Sequence, residues 1–425
     1  LLIITFVVLL SIGMPMALAL GISSLLYITM DGTVPNFAAI QTMVGGANVY
    51  TLLAIPFFIF AGNLMNTGGV TDRLFNFSRA IVGHIKGGLG HVNVVASIIF
   101  AGMSGTAIAD AAGLGTVEIK AMRDAGYDDR LSIGITAASS TIGPIIPPSM
   151  TMVIYGVIAS ASIGRLFAAG ILPGLIMGLS LMIYVYIRAD HYKCPIEKRS
   201  SLREIGRAFR LAFYSLLTPG IILGGIFTGA FTPTEAAAIA SLYAIVLGAF
   251  IFHEMDLKQF YRAVKGSAET TIQVMFIVVS ATLFAWILAK EQVPQTVAAF
   301  ILSHTRNYYV ILFSINSILL IVGLFMETVA SINILTPVFI PIMRELGISP
   351  VQFGVMMVLN LTIGVLTPPF GTVLFVLSGV AKVPVERVAR DTAPFLAPLL
   401  VVLVLIVLFP QLTLFVPDLL FGKKF

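Results

Sequence analysis

An apolar run from about residue 131 to residue 158 is long enough to cross a bilayer as a helix, yet prolines interrupt its middle. Pro147 and Pro148 lack an N–H, so they cannot donate to the carbonyls of Gly143 and Pro144 four residues back. Unpaired backbone groups are so costly in hydrocarbon that they persist only inside protein or beside a cavity. We therefore predict a broken membrane helix whose free carbonyls line a site.

The same interruption returns in the second half of the chain. Gly143 matches Gly364 and Pro148 matches Pro369, and each pair is 221 residues apart (364 minus 143, 369 minus 148). The same offset places Met122 on Met343 and Pro173 on Pro394. One offset kept over several segments indicates an internal duplication, and paired interruptions mark a transporter's binding site. The alternative is two proline kinks that only help packing.

Composition places the chain in a membrane. Of its 425 residues 58% are hydrophobic and only 11% are charged, against about 25% charged in soluble domains. The net charge of +5 lies mostly in a few loops, as expected for cytoplasmic loops, and does not call for nucleic acid. The single cysteine, Cys194, excludes an internal disulfide. The chain starts at Leu1 inside an apolar segment, so we expect a few native residues before it and see no cleavable signal.

The charge pattern predicts an all-α polytopic membrane protein made of two inverted repeats with re-entrant helical hairpins and broken transmembrane helices. Its predicted domains are a first repeat at 1–187, a basic cytoplasmic linker at 188–211, an extra inverting span at 212–230 and a second repeat at 231–425. The predicted hairpins are 91–122, entering from the cytoplasm, and 308–343, entering from the periplasm; the predicted broken helices are 131–158 and 351–380. The remaining predictions are one span at 1–30, a polar outer loop at 31–48, a basic loop at 188–210, one exit span at 392–420, and nine spans in total.

The hairpin tips and the helix interruptions supply carbonyls, hydroxyls and half-helix ends, which suit Na⁺ and a carboxylate. The residues predicted to bind Na⁺ are Ser104, Thr106, Ser139, Thr141, Gly143, Ile146, Pro147, Gly323, Gly364 and Thr367. The residues predicted to bind substrate are Ser104, Gly105, Thr106, Asp110, Glu327, Thr328, Asn360 and Thr362. For each Ser or Thr alone, helix packing and back-bonding is an equally good interpretation.

Three acidic residues need separate interpretations. Asp110 and Glu327 lie near the two tips, and an intramembrane acid is a functional candidate by default, although Asp110 could instead hold its hairpin together. Glu235 follows Pro233 at the start of a span and is predicted to cap that helix. The five histidines are not spaced as a metal site, and no Walker motif is present, so we predict no cofactor beyond the coupling Na⁺.

Four motifs resemble one transporter family. They are H-I-K-G-G-L-G-H-V-N-V-V-A-S-I-I-F-A-G-M-S-G-T-A-I-A-D (84–110), G-P-I-I-P-P-S-M (143–150), P-T-E-A-A-A (233–238) and G-x-x-T-P-P-x-G (364–371). In this order they resemble the large membrane subunit of TRAP transporters, the DctM/SiaM family. The resemblance implies an elevator-type, Na⁺-coupled importer of organic acids in the bacterial inner membrane. It also implies two partners, a small four-helix membrane subunit of DctQ/SiaQ type and a periplasmic substrate-binding protein of DctP/SiaP type.

The hairpin plan is also similar to that of divalent-anion/sodium symporters, whose sites carry Ser-Asn-Thr motifs. The corresponding stretches here read Ser139-Ser140-Thr141 and Asn360-Leu361-Thr362. The alternative function is therefore a self-sufficient Na⁺/dicarboxylate symporter. An intramembrane enzyme is disfavoured because no nucleophile–base pair accompanies the acids, and a channel because re-entrant hairpins form occluding sites. C4-dicarboxylates, sialic acid, other sugar acids and keto acids all remain open as substrates.

Overall fold

The computed structural model describes residues 1–32, 34–192, 194–195, 197–369 and 371–423, and every regular element in those ranges is helical. The helices of the first half are α1 (Leu2–Ser11), α2 (Met16–Asp31), α3 (Asn36–Ala47), α4 (Ala54–Thr67), α5 (Val70–Val82), α6 (Gly88–Ser104), α7 (Ala107–Ala112), α8 (Leu114–Asp124), α9 (Asp129–Ser140), α10 (Met150–Ala159) and α11 (Ile163–Arg188). Those of the second half are α12 (Leu202–Phe227), α13 (Pro233–Ile245), α14 (Leu257–Lys290), α15 (Val293–His304), α16 (Tyr308–Phe325), α17 (Thr328–Glu345), α18 (Pro350–Gly364), α19 (Thr372–Ala381), α20 (Val385–Leu408) and α21 (Gln411–Phe421). A 3₁₀ turn (Tyr50–Leu53) precedes α4, and a π-helical turn (Val246–Ile251) extends α13.

The long helices are apolar enough to span a bilayer. Within the described residues seven helices meet the length and composition of a membrane span, and eight shorter apolar helices accompany them. Many of their large side chains face outward, among them Phe313 and Leu419, which are 73% and 71% exposed. Such surfaces are stable only against lipid or another apolar partner. The chain is a multi-pass membrane protein, as its composition predicted.

The two hairpins and the two broken helices are confirmed. Helix α6 turns back at Gly105 into α7 and α8, and α16 turns back after Phe325 into α17. Helices α9 and α10 are separated by the irregular residues 141–149, and α18 and α19 by residues 365–371, of which Phe370 lies outside the described residues. Each broken helix follows its hairpin directly, so the order of elements is repeated in the two halves.

Three predicted boundaries were wrong. The single span at 1–30 is two helices, because the chain turns at Gly13 with φ +83° and Pro15 starts a new helix. The polar stretch 31–48 is not all loop, since it contains α3. The exit span at 392–420 is also two helices, which separate at Phe409 and Pro410.

The predicted basic loop at 188–210 is only partly a loop. Helix α12 begins at Leu202, because Ser201 and Glu204 form a reciprocal capping box at its start. Its first turns therefore carry the arginines that were expected in the loop, Arg203, Arg207 and Arg210. Glu235 is confirmed as a capping residue: its carboxylate accepts from the Thr232 backbone N–H at 2.7 Å, and Pro233 occupies the first helical position.

Most of the helices form two packed groups, and α5 and α12 pack beside α6 outside both of them. We call α2, α3, α4, α13 and α14 the scaffold, because α14 packs along α2, α3 and α4, and α13 packs on α4. We call the hairpins, the broken helices, α11 and α20 the transport body, in which α6 lies on α9, α16 on α18, α10 on α17 and α19 on α7. The groups meet where α4 contacts α6 and α10, and where α14 contacts α17. Each broken helix thus rests on both hairpins.

Candidate functional site

The first interruption is entirely buried. All nine residues from 141 to 149 are shielded from solvent. The prediction that the Pro144 carbonyl is free was wrong, because the Ser149 hydroxyl donates to it at 2.5 Å. The Gly143 carbonyl, in contrast, receives no hydrogen bond from the described residues. The hydroxyl of Ser149 thus replaces one of the two N–H donors that the prolines lack, and the carbonyl of Gly143 stays without a donor.

The tip of the first hairpin sits against this interruption. Gly105 adopts φ +65°, and a Cβ atom on it would lie 2.7 Å from the Pro148 carbonyl oxygen, so only glycine fits. The Gly105 carbonyl accepts from Met150 N–H at 3.4 Å. The next residue, Thr106, caps α7 by accepting from Ala109 N–H at 3.1 Å. Substrate contact by Thr106 remains a prediction.

Three predicted residues, Ser104, Asp110 and Gly143, come together between tip and interruption. The Ser104 hydroxyl donates to Oδ1 of Asp110, which is 2% exposed. Asp110 Oδ2 has no hydrogen-bond partner among the described residues, and a Cβ on Gly143 would lie 2.6 Å from it. A bare carboxylate oxygen therefore lies beside the backbone of Gly143, whose own carbonyl has no donor. Oxygens in this arrangement suit a hard cation such as Na⁺.

Of the other residues predicted for the first site, two have hydroxyls that are already hydrogen-bonded. Ser139 donates to Asn93 Oδ1 at 2.6 Å, and Thr141 donates back to the Ala138 carbonyl at 2.6 Å. Ile146 points its side chain at Gly174 of α11. Pro147 is buried and offers only its carbonyl. Ligation by Ser139 or Thr141 would need a hydroxyl oxygen to serve a second partner, whereas the carbonyls of Ile146 and Pro147 receive no hydrogen bond from the described residues.

The backbone groups of the second interruption are satisfied in a different way. Gly323 of α16 lies against Gly364 at the end of α18, so that a Cβ on Gly364 would be 2.6 Å from Gly323 Cα. The prediction of free carbonyls was wrong here as well: Gly364 accepts from Thr367 N–H at 2.9 Å, and Val365 accepts from Val373 N–H at 3.3 Å. The chain turns tightly enough to satisfy the groups that the prolines leave.

The polar side chains of the second site mostly bond locally. Glu327 caps α17 by accepting from the N–H groups of Val329 and Ala330, and buried Thr328 is the first residue of that helix. The hydroxyls of Thr362 and Thr367 donate to the carbonyls of Val358 and Ile363. Asn360 donates to Asn316 Oδ1 at 2.8 Å, and its own Oδ1 is buried without a partner. Asn360 therefore keeps a buried oxygen that is free to bind a ligand.

The two interruptions differ in exposure. Pro147 and Pro148 are buried, whereas Pro368 and Pro369 are exposed. A cavity of about 340 Å³ adjoins the second pair and is lined by Pro368, Pro369, Leu374, Val385, Glu386 and Ala389. Because α20 begins at Val385, this cavity opens at the end of the transport body where α19 meets α20. The first interruption is thus buried, whereas the second is exposed beside a cavity.

Sequence reasoning missed four buried polar residues around the two sites. Asn93, Glu118 and Thr136 form a hydrogen-bonded group with Ser139 beneath the first hairpin, and Asn316 holds Asn360 in the second repeat. A signal for Glu118 was present, since it is an acid within the apolar arm of a predicted intramembrane hairpin. No comparable signal marks Asn93, whose role depends on the packing of α6 against α9.

Comparison with known proteins agrees with the motifs. The family model described as "Tripartite ATP-independent periplasmic transporter, DctM component" matches residues 3–412. The chain is 47% identical over 411 residues to the sialic acid TRAP transporter large permease protein SiaM of Vibrio cholerae, covering 96% of each chain. It is 44% identical over 369 residues to the C4-dicarboxylate TRAP transporter large permease protein DctM of Pseudomonas aeruginosa, covering 87% of this chain and 86% of that one.

A solved structure shares the fold. The crystal structure of the Alcanivorax borkumensis YdaH transporter superposes with a TM-score of 0.64 at 16% identity, covering 88% of this chain and 87% of that one. An all-helical architecture of hairpins and broken helices is therefore found in both. With a family model spanning nearly the whole sequence and a relative sharing almost half of its residues, the chain belongs to the DctM component family, the large permease subunits of tripartite ATP-independent periplasmic transporters.

Proposed function

We propose that this protein is the translocating subunit of a Na⁺-coupled importer of organic acids. Its relatives are named for sialic acid and for C4-dicarboxylates, both of which carry carboxylates. A carboxylate substrate fits a site built from half-helix ends and backbone groups, since the N-terminal end of a helix attracts negative charge. Helices α10, α17 and α19 all begin at or next to a hairpin tip or an interruption.

The observation that carries this proposal is the group formed by Ser104, Asp110 and Gly143. It offers a carboxylate oxygen and a carbonyl oxygen, each without a partner among the described residues and each buried at the meeting point of a hairpin and a broken helix. A negative charge held there without a cation would be strongly unfavourable. Na⁺ bound at this point would neutralise Asp110 and would link the first hairpin to the first interruption.

Movement follows from the division into scaffold and transport body. The hairpins and broken helices pack mainly on one another, and they meet the scaffold along α4 and α14. A packed body of this kind moves as a unit against its scaffold, which is an elevator motion. The contrast between the buried first interruption and the open second one supports alternating exposure of a site within that body.

Two partners complete the proposal. The described helices pack into one membrane body, and a soluble domain for capturing substrate is not among them. We infer that a periplasmic binding protein delivers the organic acid, that a small membrane subunit supports the scaffold, and that the complex lies in the bacterial inner membrane. The lipid-facing surfaces of the scaffold, such as that of Phe276 on α14, offer apolar area for such a subunit.

The test is uptake by liposomes that contain the purified components. With an inward Na⁺ gradient, we expect the chain plus small subunit plus loaded binding protein to take up sialic acid or a C4-dicarboxylate. Omitting the binding protein should abolish uptake, and so should replacing Na⁺ by K⁺. Na⁺-dependent uptake by the chain alone would instead identify a self-sufficient symporter, and uptake without Na⁺ would contradict the proposed coupling.

A further inference from the structure

A second buried carboxyl, separate from Asp110, lies in the far arm of the first hairpin. Glu118 on α8 is 1% exposed. Its Oε2 accepts from Asn93 Nδ2 at 2.8 Å, and the same amide nitrogen lies 2.7 Å from Thr136 Oγ1. Ser139 Oγ lies 2.6 Å from Asn93 Oδ1. Asn93 therefore connects the carboxyl of Glu118 to α9, one residue before that helix ends at Ser140.

This carboxyl lacks a compensating charge. Within the described residues Glu118 takes part in no ion pair, and its Oε1 has no hydrogen-bond partner. A carboxylate buried this deeply is strongly disfavoured unless it is paired, bound to a cation or protonated. The oxygens around Glu118 are too few to coordinate Na⁺, and they already accept hydrogen bonds. Thr136 Oγ1 accepts from the Asn93 amide, and Asn93 Oδ1 accepts from the Ser139 hydroxyl. A proton is the cation that fits.

The amide of Asn93 can form a hydrogen bond with Glu118 in either charge state of that carboxyl. With its nitrogen toward Glu118, it donates to a carboxylate and to Thr136, while Ser139 donates to its oxygen. Rotated by half a turn, its oxygen would accept from a protonated Glu118 and from the Thr136 hydroxyl, and its nitrogen would donate to Ser139. Ser139 would then donate to the Thr136 carbonyl, from which it is 3.3 Å away. Both arrangements use the same heavy-atom positions.

We propose that Glu118 is a proton-binding site whose occupancy is transmitted through Asn93 to Ser139, near the end of α9 that precedes the first interruption. The proton is taken from water as hydronium and returned to water, so Glu118 alternates between carboxylate and carboxylic acid. The inference rests on the proposed transport function for its effect on uptake, but the presence of the proton is independent of transport. Uptake then requires the protonated form of Glu118 in addition to the Na⁺ step.

The groups that surround Glu118 favour the neutral form. Helix α7 contributes Asp110, a second acid of the same hairpin, whose negative charge opposes one on Glu118 when Na⁺ is absent. The other elements packed on α8 are α5, α6, α9 and α19. Helix α19 contains no titratable side chain, and those of α5, α6 and α9 are Asp72, Arg73, Arg79, His91, Asp129 and Arg130. Of these, His91 binds the Lys86 carbonyl, and Arg73, Arg79 and Asp129 are held in ion pairs with other partners.

The first experiment is infrared difference spectroscopy of the purified complex titrated with alkali. The carbonyl stretch of a protonated carboxylic acid is separate from that of a carboxylate. We expect E118Q to lose the intensity of one carboxylic acid relative to the wild type. E204Q is the matched control, because Glu204 is an exposed capping residue on α12 and should leave the band unchanged. A spectrum of E118Q identical to that of the wild type overturns the proposal.

The second experiment measures uptake against pH with all three components at a fixed Na⁺ gradient. The neutral form is present at low pH and lost as pH rises, so wild-type uptake should fall on the alkaline side. E118Q should show no such fall, because glutamine is permanently neutral, and E118D should retain it. Wild-type pH dependence in E118Q would contradict the proposal. If wild-type liposomes take up nothing, the transport function fails while the infrared result still decides the proton site.

A second variant covers the case in which E118Q does not fold. In N93D the amide donor is lost, so residue 93 can bond to Glu118 only when the pair holds a proton. The midpoint of the alkaline fall should move upward by about one pH unit or more, as for two carboxyls that share a site. If the midpoint of the alkaline fall is unchanged in N93D, residue 93 is not coupled to the protonation of Glu118, and the proposal is wrong.

Discussion

The contact between Gly323 and Gly364 makes a direct test of the second site. In Gly364→Ala the new Cβ would lie 2.6 Å from both Cα and C of Gly323 and 2.7 Å from its oxygen. Carbon atoms pack best at about 3.5–4.0 Å, so the methyl group overlaps its neighbours by about 1 Å. All three neighbours are backbone atoms, which cannot rotate away as a side chain would. Helix α16 must therefore move off α18.

The magnitude follows from the overlap. Adding a methyl group to a well-packed interior costs about 1–3 kcal/mol, and contact with backbone places this variant at the upper end. If the displaced hairpin is needed for binding, 1–3 kcal/mol corresponds to a loss of about 5- to 150-fold in affinity. The assay is the Na⁺ concentration giving half-maximal uptake in the three-component liposomes, together with the thermal unfolding of the purified protein.

A matched control exists in the same repeat. Gly379 lies on α19, and a Cβ placed there meets no atom within 4 Å. Gly379→Ala should leave uptake unchanged and raise stability slightly, since alanine favours helix by up to about 1 kcal/mol. If Gly364→Ala behaves like Gly379→Ala in both assays, the close approach of the hairpin to α18 is unnecessary for function, and the reasoning is refuted.

Two further predictions concern the first site and the basic linker between the repeats. Ser104→Ala removes the hydroxyl that donates to buried Asp110, at a cost of about 1–3 kcal/mol, so the half-saturating Na⁺ concentration should rise about 5- to 150-fold. The control is Ser180→Ala, which removes a hydroxyl bonded only to the Met177 carbonyl of α11. Equal Na⁺ dependence of the two variants would argue against a Na⁺ site at Ser104. Burial raises the pKa of the Cys194 thiol to about 11, so its labelling by a maleimide should be slow at neutral pH and rise about tenfold per pH unit up to that value. Labelling should occur from the cytoplasmic side only, and labelling from the periplasm would reverse the proposed orientation.

The local chemistry of the chain was sufficient to predict several of the places where its helices stop. Pro147-Pro148 and Pro368-Pro369 are adjacent pairs that lack two successive N–H donors, so a helix was expected to stop at each pair. Single prolines such as Pro173 and Pro337, in contrast, lie inside helices. The hairpin tip at Gly105 follows from the freedom of glycine to adopt a positive φ. The cap at Glu235 follows from a capping pattern in the sequence. The repeat was visible because duplication keeps residue spacing. Splits near Pro15 and Pro410 were missed because the surrounding runs are apolar throughout.

Only the tertiary structure decided which polar atoms remain free. The carbonyl of Pro144 is satisfied by Ser149, and that of Gly364 by Thr367 N–H, because the chain folds back over a few residues after each interruption. The spacing of residues in a sequence cannot show that the chain folds back in this way, since the fold-back depends on backbone torsions. The bare oxygen of Asp110 beside Gly143, and the link from Glu118 to α9, arise where separate helices cross. Sequence thus determined the breaks, and the packing of helices around them determined their chemistry.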